Sequence, residues 1–165
     1  MGLLTKDRDI HILPLSFENA KDEKAIYLLS DVHFDSVKCD RRLFFKHLQM
    51  AQEEGASVFI LGDLMDLMQM PRDPRGNYDS LRPELKKMAY IDEVIKDCAD
   101  KLEPYKDVIK LISMGNHETN ITKRHGVDCT QRIVALLNAK GGDVVAGYYA
   151  GWVILKCDRN GRGTR

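Results

Sequence analysis

Three short apolar runs, each halting at a polar cluster, set the rhythm of this chain. Residues 25–30 (Ala-Ile-Tyr-Leu-Leu-Ser) stop at Asp31, residues 57–61 (Ser-Val-Phe-Ile-Leu) at Gly62-Asp63, and residues 108–113 (Val-Ile-Lys-Leu-Ile-Ser) run into Gly115-Asn116-His117. Continuous apolar runs of this length predict strands buried on both faces. Helical patterns lie between them. Leu43, Phe44, His47, Leu48 and Ala51 recur at helical spacing behind Asp40, a capping residue, and Gly55 ends the pattern. Ser80 can cap a second helix running to about Leu102, with Pro83 tolerated in its first turn and Pro104 closing it. A third covers about 128–139 and breaks at Gly141-Gly142. Residues 10–17 alternate weakly, and Pro14, which has no N–H, predicts an edge strand there. Residues 70–77 carry two prolines and a glycine and read as a loop, while 144–146 and 152–157 read as further strands. Strands alternating with helices predict an α/β fold, mostly parallel, with helices outside the sheet.

Composition narrows the setting. A chain of 165 residues suits one domain and can bury roughly 70% of its unfolded surface. Lys plus Arg and Asp plus Glu both number 25, so the net charge is zero and nothing pulls the whole molecule toward nucleic acid or an anionic membrane. The four cysteines are scattered without a C-x-x-C pair, and the charged opening, which lacks an apolar stretch, predicts no signal peptide. Reduced thiols and a cytoplasmic location are the expectation. No apolar run approaches the ~20 residues that span a bilayer.

The chemistry concentrates where the three runs end. Ligands in open α/β sheets bind beyond the carboxyl ends of the strands, so Asp31-Val32-His33, Gly62-Asp63 and Gly115-Asn116-His117-Glu118 are expected along one edge. Two residues apart in extended backbone, Asp31 and His33 point the same way and can grip one cation. Asp63 has two oxygens with which to bridge two ions, and Asn116 adds a neutral amide oxygen. Mixed nitrogen and oxygen ligation suits zinc, iron or manganese. The plainer reading makes these residues turn formers and caps.

D-x-H, then G-D, then G-N-H-E, in that order, resembles the calcineurin-like metallophosphoesterases over roughly residues 25–155. The resemblance implies a β-sandwich flanked by helices and two divalent ions that activate a water for in-line attack on a phosphate ester. It implies metal ligation by Asp31, His33, Asp63 (bridging) and Asn116. His117 would contact phosphate or act as a general acid, Glu118 would orient it, and Asp66 would stand behind the ligands. Two features depart from the family. Leu67 stands where many members carry arginine, and no histidine follows His125, where the family expects a G-H-x-H segment. The domain, residues 1–165, is therefore expected to be C-terminally incomplete and poorly active alone. Residues 160–163 read as a hairpin turn with no return strand. An unpaired sheet edge would invite homo-oligomerisation or strand exchange. The alternatives are a nuclease or nucleotide phosphodiesterase, with nucleic acid as a candidate partner, and a non-catalytic binding module on the same fold. Outside the motif, His11 reads as a surface residue, His47 as core or boundary, and Lys123-Arg124-His125 as a solvated loop. Met65, Met68 and Met70 read as packing beneath the site.

Overall fold

The computed structural model of the chain describes residues 2–7, 9–67, 78–159 and 162–163. Among the described residues, eight strands and four α-helices follow in the order β1 (Leu4–Asp7), β2 (Ile10–Phe17), β3 (Ile26–Leu29), α1 (Arg41–Glu53), β4 (Ser57–Leu61), α2 (Tyr90–Leu102), β5 (Ile109–Ser113), α3 (Asn116–His125), α4 (Cys129–Ala139), β6 (Val145–Gly147), β7 (Trp152–Arg159) and β8 (Arg162–Gly163). They make two four-stranded sheets. One is wholly parallel, in the order β3-β4-β5-β6; the other is mixed, in the order β1-β2-β7-β8, with only β2 and β7 parallel.

The alternation along β4 explains the layering. Val58 and Ile60 face a large core shared with helix residues such as Phe44, Leu48, Val94, Ile133 and Leu137, while Phe59 turns the other way, to Leu3, Leu13 and Leu111 between the sheets. The parallel sheet is thus buried on both faces, by helices on one and by the mixed sheet on the other. Each fully buried aliphatic side chain of this kind stabilises the fold by about 1.5–3 kcal/mol. Helices were expected to flank the sheets, and they do so on the parallel sheet. Among the described residues, the outward face of the mixed sheet leaves Trp152 75% and Leu4 60% exposed.

The α1 expectation holds closely. The Asp40 side chain accepts the Leu43 N–H at 3.0 Å, and Gly55 follows with φ of 63°. Five other expectations need correction. First, β3 is an edge strand, and Leu28 is 63% exposed. A short apolar run looks the same at an edge as at the centre, because neighbours are set by pairing far along the chain. Second, β2 lies inside its sheet. The Trp152 N–H donates to the Asp9 carbonyl, so odd-numbered residues of β2 bond toward β7. Pro14 faces the other side, beyond the last β1 pairing at Leu4↔Ile12, where no donor is needed. Third, the helix expected from Ser80 starts only at Tyr90. The chain before it forms short 3-10 turns at Tyr78–Ser80 and Pro83–Leu85. Arg82 is drawn away from a helical path, its guanidinium donating to the Phe34 and Cys39 carbonyls. Fourth, Lys123-Arg124-His125 is the last turn of α3 and no loop, a place where cations suit the helix dipole. Fifth, β8 pairs antiparallel with β7 at Asp158 and Arg159, a two-residue return strand where none was expected. Met68, the whole 70–77 loop with Met70, and the Asn160-Gly161 turn lie outside the described residues. No helix among the described residues is long and apolar enough to cross a membrane.

Candidate metal centre

The three strand ends meet, and backbone hydrogen bonds join them. Past β3, Asp31, His33 and Phe34 donate their N–H groups to the carbonyls of Gly62, Asp63 and Leu64, at 3.3, 3.1 and 2.8 Å. The two glycine turns touch as well. A Cβ on Gly115 would lie 2.1 Å from Asp63 Oδ1, and one on Gly62 2.9 Å from Gly115 Cα, so neither position accepts a side chain.

Among the described residues, four non-glycine residues here have left-handed backbone: Asp31 (φ 54°), His33 (50°), Asp63 (48°) and Leu67 (52°). Such conformations cost of order 1–3 kcal/mol each and persist where the surroundings over-determine them. They also correct the pleat argument. Asp31 and His33 share an edge, but not because they alternate along an extended strand.

Two buried carboxylates hold the strained loops in place. Glu118, fully buried, accepts N–H bonds from Asp63 (3.1 Å), Met65 (3.0 Å) and Gly115 (2.8 Å). Burial raises its pKa, against the lowering effect of the Met65 and Gly115 N–H groups. Its bond to Gly115 is half of a capping box at the start of α3; glycine has no side chain to return the other half. Asp63 does that service from another segment, its Oδ1 accepting the His117 N–H at 2.9 Å. The plainer reading of Asp63 as a cap is therefore satisfied in the structure. Asp35, also fully buried, accepts from the Asp66 N–H (2.6 Å), the Leu67 N–H (3.1 Å) and the Tyr90 hydroxyl (2.5 Å). Sequence reasoning missed Asp35. A single aspartate after D-x-H-F carries no motif, and its partner Tyr90 is far along the chain. Arg41 completes the frame, bonding the Phe34 carbonyl and Asp97 at 2.9 and 2.8 Å while lying over the Phe34 ring.

Held this way, His33, Asp66 and His117 converge, with one ligand atom of each within 4.8 Å of the others. Asp66 Oδ1 lies 3.4 Å from Nδ1 of both imidazoles. The rings meet edge to face, 4.7 Å between centroids. His117 Nδ1 also touches the Asp66 carbonyl oxygen. Burial alone would lower the His117 pKa, but its contacts with the Asp66 carboxylate and carbonyl, and the Asp63 charge, outweigh burial and raise it to about 9. The Asp66 hydrogen bond raises that of His33 too, against burial and the neighbouring His117. Two nitrogens and a carboxylate oxygen at this spacing can coordinate one divalent cation, which would displace the protons they otherwise hold.

Searches against protein-family models, characterised proteins and solved structures find no match. The site is read from its own geometry.

That geometry promotes one residue and leaves others outside the cluster. Asp66, expected behind the ligands, is in the cluster. Asp31 is exposed at the rim, Asp63 is turned toward the start of α3, and Asn116, the first residue of α3, is exposed. A cleft of about 370 Å³ opens beside the cluster, lined by Asp31, His33, Ser36, Lys38, Asp66 and Ser80. Met65 is fully buried beneath, as expected for a packing residue.

Proposed function

We propose that this protein is a metal-dependent hydrolase of phosphate esters. The observation that carries the reading is the His33–Asp66–His117 cluster, at the carboxyl edge of a parallel sheet and open to a cleft. The order of D-x-H, G-D and G-N-H-E along the chain supports it. His33, Asp66 and His117 would hold a first ion. Asp31, Asp63 and Asn116, at the same strand ends, would supply oxygens for a second. His117 would then be a ligand rather than the acid that the resemblance implies. Divalent ions bound here would supply Lewis-acid stabilisation of the charge that builds on phosphate oxygens during in-line displacement. Lys38 in the cleft brings the positive charge that Leu67 does not. Glu118 and Asp35 act through the backbone, fixing the turn that presents Asp63 and Asp66.

Hydrolysis of p-nitrophenyl phosphate and bis(p-nitrophenyl) phosphate with added manganese tests this reading. Turnover, even if slow, should cease with a chelator, return with manganese, and fall to background in His33→Ala and Asp63→Asn. Turnover indifferent to chelation, or undiminished in those variants, contradicts it. Metal binding with no turnover of either ester favours the binding-module alternative.

A further inference from the structure

A second cleft, of about 290 Å³, opens between the two sheets at the same carboxyl edge. Its wall includes His11, Leu61, Met114, Tyr148 and Tyr149. Leu61 is the last residue of β4, a strand otherwise buried, yet it is 42% exposed here. Tyr149 stands 66% exposed on the loop after β6. That loop is tied down where it enters β7, by the 2.7 Å bond from the Trp152 N–H to the Asp9 carbonyl. His11, expected at the surface, is only 3% exposed, its Nδ1 3.4 Å from Thr5 Oγ1. Burial lowers its pKa, against the Asp9 charge, and so favours a neutral ring that both donates and accepts hydrogen bonds. An apolar floor, tyrosine rings at the rim and a neutral imidazole suit a flat heteroaromatic ring with polar edges.

The two clefts share their chain segments. Met114, on the cleft wall, is three residues from His117 of the cluster. Three residues span at most about 11 Å, within the reach of one sugar and its phosphate. The geometry points to a nucleotide as the substrate, with its base in the inter-sheet cleft and its phosphate at the His33–Asp66–His117 cluster. This inference rests on the phosphoesterase reading and names its substrate class. The cleft is at the small end of ligand sites, and the neutral net charge gives no pull on a long strand. The occupant is one nucleotide rather than a nucleic acid.

Calorimetric titration of the metal-free protein with adenosine and with ribose 5-phosphate separates base from phosphate. Adenosine should bind saturably, and ribose 5-phosphate should not. Tyr149→Ala should weaken adenosine roughly tenfold, the loss of one stacking platform, while Tyr149→Phe keeps the wild-type affinity. His33→Ala should leave adenosine binding unchanged. No saturable adenosine binding, equal binding of ribose 5-phosphate, or indifference to Tyr149→Ala overturns the base cleft, even where metal-dependent ester turnover persists. An oligonucleotide that binds orders of magnitude more tightly than adenosine overturns the single-nucleotide assignment. Adenosine binding without metal-dependent turnover leaves the cleft standing and overturns the phosphoesterase reading instead.

Discussion

The parallel sheet β3-β4-β5-β6 and the mixed sheet β1-β2-β7-β8 share the small core around Leu13, Phe59 and Leu111, yet they carry different loads. The parallel sheet is covered on both faces, and from its carboxyl edge spring the strained backbones of Asp31, His33 and Asp63, the carboxylate clamps and the His33–Asp66–His117 cluster. The mixed sheet covers one face of its neighbour and leaves Trp152 and Ile154 exposed on its own outer side. The contrast teaches where left-handed, polar loops can be kept: at the end of a sheet rigid enough to over-determine them. At that edge the mixed sheet contributes His11, Trp152 and Val153 to the wall of the second cleft.

The sharpest way to break this contrast is Glu118→Ala. It strips three N–H groups of the loops of their acceptor. At about 1–3 kcal/mol for each buried donor left unmet, urea unfolding should show a loss of at least about 3 kcal/mol. A loss below about 1 kcal/mol would mean that the loops do not depend on the clamp.

Next comes a matched pair of core truncations. Ile60→Ala in β4, fully buried, should cost about 2–5 kcal/mol. Ile154→Ala in β7, 48% exposed, should cost under ~1 kcal/mol. Equal losses would erase the difference in burial between the sheets.

Acidity offers a third handle. The His117 pKa stands near 9, raised from 6.5. A raised histidine contributes stability that is whole below pH ~6.5 and is lost as the pH climbs through about 9. The metal-free protein should lose at most about 3 kcal/mol across that window, and His117→Gln should flatten the profile. A stability profile that rises over the same window has the wrong sign.

The smallest effect is expected at the exposed face of the mixed sheet. Trp152→Ser should change stability by ~0.5 kcal/mol or less, and a larger loss would show that this face is not a bystander.

Much of the parallel sheet was legible along the chain, because its strands are locally continuous and end in residues that cannot belong to a strand. The α1 cap was legible for the same local reason: Asp40 and Gly55 carry their own geometry. What escaped depends on distant partners. Nothing near Leu28 says that its strand lies at an edge. Nothing near Pro14 says that its missing donor faces open space. α3 buries only Ile121 and Glu118, so it has almost no apolar period to read. At the site, the motif pointed to the right loops but not to the cluster they form. Asp66 became a candidate ligand only when the Asp35 clamp fixed the turn that carries it.

His33, Asp66 and His117, each from a different strand end, together make one candidate cation site. Calorimetric titration of the chain with manganese or zinc, in parallel with His33→Ala, Asp66→Ala and His117→Ala, tests it most directly. The account predicts saturable binding in the wild type. In each variant the affinity should fall by more than the ~10–100-fold that loss of an outer hydrogen-bonding partner costs, with the fold intact by circular dichroism. Wild-type affinity in all three variants, or no binding to the wild type at all, would contradict it.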